Sequence, residues 1–148
     1  MKSHNLFFGI AITAVVAIGL VWLLQPVIKP GSKMDPKKII TRETIEGMFS
    51  NIRAKGQWKI DGDMLWGYFF INSTKEPLEN AAKKLEEKGY RVVDVQPVEK
   101  TKTWMLHVEK VETHTVDSLY QRDLELYQFA EDMKLDSYDG MDVGPVSP

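Results

Sequence analysis

The sequence predicts an α+β domain with the element order β-α-β-β-α-β, the ferredoxin-like arrangement, carrying an extra N-terminal helix and preceded by one transmembrane helix. Three observations lead there. Residues 6–24, LFFGIAITAVVAIGLVWLL, carry no charge. Beyond residue 40, three stretches repeat apolar residues at helical spacing. Four runs rich in aromatic and β-branched residues follow the first of these and read as strands.

At the helical rise, residues 6–24 would extend roughly 28 Å, about the hydrocarbon thickness of a bilayer. The segment that follows, Leu24-Gln25-Pro26-Val27, lacks the small-residue cleavage site of a signal peptide. A retained anchor is therefore expected, contacting the lipid bilayer through residues 6–24, with Trp22 at an interface. Lys29, Lys33, Lys37 and Lys38 outnumber Lys2 on the other side, which directs the C-terminal domain to the cytoplasm. Three prolines and a glycine in QPVIKPGSKMDPKK cannot continue a regular helix. The chain thus divides into a tail and transmembrane helix at 1–28, a linker at 29–40 and a folded domain at 41–148.

Charge divides at the same place. Residues 1–40 hold five lysines and one aspartate, whereas the remainder holds 14 basic and 20 acidic side chains. The domain is therefore acidic, and its two neighbourhoods differ. The chain has no cysteine, which excludes disulfides and thiolate chemistry.

Within the domain, Thr41 is placed to cap a helix whose apolar stripe is Ile45, Met48, Phe49 and Ile52, ending at Gly56. This helix is expected to cover part of the sheet face opposite the other two. Asp61-Gly62 marks a tight turn before a central strand at 64–71, and WKI at 58–60 reads as a short extra arm. Pro77 suits a first helical turn, Leu78, Ala81, Ala82 and Leu85 make one stripe, and Gly89 supplies the stop. RVVDVQPV and TWMLHVEKV are two strands around the polar turn at 99–102. In the second, Trp104, Leu106 and Val108 share one face, and Met105, His107 and Glu109 the other. Thr115 caps a long helix running towards Lys134, with Leu119, Leu126, Ala130 and Met133 inward and Tyr120 and Tyr127 beside them. The last strand comes from LDSYDGMDVGPV, residues 135–146.

No catalytic residues, metal ligands or cofactor site are expected. There is no GxSxG, no phosphate-binding glycine loop and no HExxH. His107, Glu109, Glu112 and His114 lack metal-ligand spacing, because His107 and Glu112 point to opposite faces of an extended segment, and they read as surface polar residues. An open sheet with aromatics is how one RNA-binding module works, but this domain is acidic and lacks that module's basic-aromatic strand, so no direct nucleic-acid contact is expected. Asp136, Asp139 and Asp142 do not match a calcium loop. Counting from Asp136, glycine falls fifth rather than sixth and serine, not glutamate, twelfth. Asp139-Gly140 reads as shaping the start of the last strand, with Tyr138 packing nearby. Asp136, Tyr138, Asp139 and Asp142 are the candidate partner-binding residues.

WGYFF (66–70), EKGYRVVDV (87–95), WMLHVEKVETHT (104–115) and LDSYDGMDVGPV together resemble the bacterial RraB family, regulators that inhibit ribonuclease E. The resemblance spans roughly residues 57 to 146, and Tyr138-Asp139-Gly140 looks like the YDG that opens the family's last strand. It implies a ferredoxin-like fold and a non-catalytic protein that binds the ribonuclease and restrains RNA cleavage. Familiar members look soluble and strongly acidic, whereas this chain adds an anchor. The expectation is a single-pass protein of the bacterial inner membrane whose cytoplasmic domain binds another protein, ribonuclease E or a related nuclease. The alternative is an anchored interaction or immunity-type module with an unrelated partner.

Overall fold

The computed structural model describes residues 39–146. The expected transmembrane helix and nearly all of the expected linker lie outside the described residues. Among the described residues, no helix is long and apolar enough to cross a membrane.

The chain runs α1 (Arg42–Lys55), β1 (Met64–Asn72), α2 (Lys75–Glu87), β2 (Arg91–Val98), β3 (Thr103–Glu112), α3 (Val116–Asp132) and β4 (Ser137–Pro145). The strands form one sheet in the order β2-β3-β1-β4, with every neighbouring pair antiparallel. The domain is thus α+β, with a four-stranded antiparallel sheet and three helices. β1 lies at the centre because it is the strand most able to be buried. Met64, Trp66, Tyr68 and Phe70 are all within 3% of complete burial. Leu106 and Val108 of β3 join them, and Leu78, Ala81 and Leu85 of α2 and Leu119, Leu126 and Ala130 of α3 close over that face.

Sequence caps set the helix ends. Thr41 Oγ1 accepts from Thr44 N at 3.3 Å, and Gly56 ends α1 at φ 61°, where a Cβ would be strained. Thr115 and Ser118 satisfy each other's backbone N–H groups as a capping box on α3.

α1 packs on the same face as α2 and α3, not on the opposite one. Phe49 stacks against Trp66 with ring centroids 6.2 Å apart, and Arg42 bonds Asp117 of α3 at 2.7 Å. The connection back to β1 explains this placement. A turn closed by Gly62 N to Lys59 O at 2.9 Å and an Arg53–Asp61 ion pair fold it under the helix, burying Ile60. Residues 58–60 therefore form a turn rather than the expected strand arm. With all three helices on one side, no described element covers the other face of the sheet.

Two register shifts bend the edge strands. Val93 is the extra residue of β2 between Val92 and Asp94, and Asp139 that of β4 opposite Phe69 and Phe70. Gly140 beside the second takes φ 108°, which favours glycine. Asp139-Gly140 thus shapes a bulge inside β4. Bulges and Pro97 make both edges poor templates for further strand pairing.

Candidate partner-binding face

The four residues singled out in the closing segment do not form one patch. Asp136 is exposed but committed to a turn. Its Oδ2 accepts from Ser73 N at 2.6 Å and from Ser73 Oγ, while its own N–H donates to Asn72 Oδ1 at 3.1 Å, fastening β4 to the end of β1. Tyr138 corrects the expectation of partner contact. Its position opposite Phe70 directs it into the core, where it is 4% exposed. Its hydroxyl donates to Asp123 at 2.6 Å, and its ring meets Tyr127 edge-on at 4.9 Å. Asp139 and Asp142 are exposed, the first on the bulge and the second opposite Gly67 on the uncovered face.

That uncovered face is built by alternation. On β1 it presents Leu65, Gly67, Phe69 and Ile71, and on β3 Met105, His107, Glu109 and Val111. Phe69 and His107 are cross-strand partners whose rings stack at 4.5 Å and 20°. Gly67 is a gap in the middle. A Cβ there would lie 2.3 Å from Asp142 Oδ1 and 2.9 Å from His107 Nε2, so only hydrogen fits while those two side chains fold inward from the flanking strands. His107 Nε2 is also 3.5 Å from Glu109 Oε1, and Glu109 is bonded by Arg91. Asp94 of β2 stands opposite His107. Asp94 Oδ1 and His107 Nε2 are both buried without a hydrogen-bond partner. The centre of the face therefore carries three carboxylates and one guanidinium, framed by apolar side chains. It can accept hydrogen bonds and positive charge. It holds no nucleophile paired with a base.

The helix side holds a second polar group. Glu112 accepts from Arg122 Nη1 at 2.5 Å and from the Tyr68 hydroxyl at 3.2 Å, and its Oε2 is 3.3 Å from His114 Nε2. Burial opposes its ionisation, but the hydrogen bonds with His114 and Arg122 and the charges of Arg122 and Lys110 outweigh it and bring its pKa down to about 2. His114 is 6% exposed, with Nδ1 3.0 Å from Ser118 Oγ and its ring edge-on to Trp66. The expectation that it is a surface residue is corrected by this burial and by its contact with Trp66 of β1. Beside this network, Lys88, Tyr90, Lys110, Arg122 and Phe129 line a shallow pocket of about 170 Å³. Arg122 and Lys110 already bond Glu112, and the Lys88 ammonium sits over the Phe129 ring at 5.3 Å. Its cations are thus engaged within the fold.

Among the described residues no group of three or more His, Cys, Asp or Glu side chains could hold a metal ion. The centre of the open face was partly readable from sequence, since TWMLHVEKV places Met105, His107 and Glu109 together. Asp142 was a candidate from the closing segment, whereas the contributions of Asp94 and Gly67 depend on strand order and had no local signal. A family model described as regulator of ribonuclease activity B matches residues 42–143. Comparison with curated proteins gave no match.

Proposed function

This chain belongs to the RraB family, regulators of ribonuclease activity, and from that premise we propose that it is a membrane-anchored, non-catalytic regulator that binds ribonuclease E or a related nuclease and restrains its cleavage of RNA. The observation that carries the reading is the family match, which covers α1 through most of β4. The sheet order β2-β3-β1-β4 under α2 and α3 supports the ferredoxin-like description of the domain. The open face supports protein binding. It is partly apolar and charged, and no described element covers it. A surface of that kind is more often an interaction site than a solvated one.

The anchor reading rests on the uncharged run 6–24, and the cytoplasmic orientation on the four lysines after it. Holding the regulator at the inner membrane would raise its local concentration for a nuclease working at the same surface. The direct test is co-purification from detergent-solubilised membranes. Recovery of ribonuclease E with the tagged full chain, together with slowed RNA decay when the chain is overproduced, is the expected result. Recovery of no nuclease, with RNA decay unchanged in a deletion strain, would remove the nuclease reading.

A further inference from the structure

We infer that the open sheet face is a receptor for an arginine carried on an apolar segment of a protein partner, seated over Gly67 between Asp142, His107 and Asp94. This deepens the proposed function and rests on it, since it names the chemistry of the partner segment. The geometry at Gly67 is the first support. Asp142 Oδ1 and His107 Nε2 both lie within 3 Å of the point where a Cβ would stand, so they converge from β4 and β3 onto one spot of β1. The second support is unmet hydrogen bonding. Asp94 Oδ1 and His107 Nε2 are buried with no hydrogen-bond partner, His107 Nε2 having only Glu109 Oε1 at 3.5 Å beside it, and they stand in register across β2 and β3. Buried polar atoms are seldom left so unless a water or a partner completes them.

Charge selects the occupant. Among the described residues, Asp94, Glu109 and Asp142 share the open face with a single cation, Arg91, which is already bonded to Glu109. The cluster is thus short of positive charge in a domain that is acidic overall. A guanidinium fits better than an ammonium, because its planar fork can bond two carboxylates at once and lie against the Phe69–His107 ring pair. Leu65, Phe69 and Ile71 beside the cluster would take the apolar side chains flanking that arginine. An RNA strand would set its phosphates against the same carboxylates. A symmetric pairing of two copies through this face would oppose one acidic centre to another.

The test uses the full chain in detergent micelles, titrated with short peptides that place arginine, lysine or glutamate among leucine and glutamine, and with a short single-stranded RNA. Amide resonances report the site. The arginine peptide is expected to shift residues around Gly67, Phe69, His107 and Asp142. Binding should weaken at least tenfold in Asp142→Asn and in Asp94→Asn, and also in Gly67→Ala, whose methyl displaces Asp142 and His107. Circular dichroism should show all three variants folded. If one unfolds, the remaining two decide the result. Shifts confined to the Lys88 pocket, equal binding of the glutamate peptide, or tighter binding of RNA would overturn the inference. So would displacement of the peptide by the chain's own residues 29–38, scored as recovered affinity when Lys29, Lys33, Lys37 and Lys38 are neutralised. Ribonuclease E separates the two claims. If the variants lose the arginine peptide but still inhibit the nuclease fully, the receptor is not the nuclease site and the inference fails while the proposed function stands. If the peptide binds as described and the nuclease does not, the proposed function fails instead.

Discussion

Replacing Asp123 with asparagine removes one buried titratable group from between α3 and β4. Asp123 is wholly buried, accepts from Tyr138 at 2.6 Å through Oδ1, and has no partner for Oδ2. Burial raises its pKa from the ordinary 3.8 to about 6, against the opposing effects of the Tyr138 hydrogen bond and of nearby His114 and Arg122. A difference of roughly two units corresponds to about 3 kcal/mol. The folded state holds the proton more tightly than the unfolded one. Stability from this group is therefore complete below about pH 4 and is lost as pH rises through 6. Asparagine keeps an acceptor for Tyr138 but leaves an unsatisfied amide, which costs about 1–3 kcal/mol at every pH. The slope, not the offset, is the readout. Urea unfolding in micelles, followed by tryptophan fluorescence at several pH values from 4 to 7, should show the wild-type advantage shrinking by about 3 kcal/mol across that range. Stability curves that run parallel over the whole interval would refute the buried, proton-holding carboxyl.

Further outcomes follow from the same structure. Phe70→Ala should cost about 3–5 kcal/mol in urea unfolding, because Phe70 is fully buried at the centre of β1 against Phe129 and Tyr138. Gly140→Ala should cost about 1–3 kcal/mol, since φ 108° strains any side chain and the new Cβ would stand 3.4 Å from Ile40 Cδ1. Glu112→Gln should flatten the loss of stability on acidification from pH 4.5 towards 2, because the native carboxylate, held at about 2, contributes stability above 4.5 that disappears as pH falls through its folded pKa. A compartment-sensitive reporter fused after Pro148 should give a cytoplasmic signal, and a periplasmic one would separate the domain from any cytoplasmic nuclease.

The elements were legible because their signals are local. Alternation across MLWGYFFIN and TWMLHVEKVE, Thr41 and Gly56 around α1, and Thr115 ahead of α3 need only neighbouring residues to be read. The side of the sheet that α1 covers was not legible, because a stripe of Ile45 and Phe49 says that a face is buried but not against what. Tyr138 and His114 are of the same kind. Their partners Asp123, Glu112 and Trp66 lie in other elements, except for the nearby Glu112. Asp123 did leave a trace. It falls four residues after Leu119 and three before Leu126, a carboxyl set into the apolar stripe of α3. The candidate site shows the same limit. Asp142 was found from composition, but its convergence with His107 on Gly67 exists only once β1 is inserted between β3 and β4.

Cleavage of an RNA substrate by purified ribonuclease E, measured with increasing amounts of the full chain in lipid nanodiscs, tests the regulatory account most directly. The rate should fall in a saturable way, with the nuclease retained on the nanodiscs. An unchanged rate at every concentration, with no retained nuclease, would contradict it.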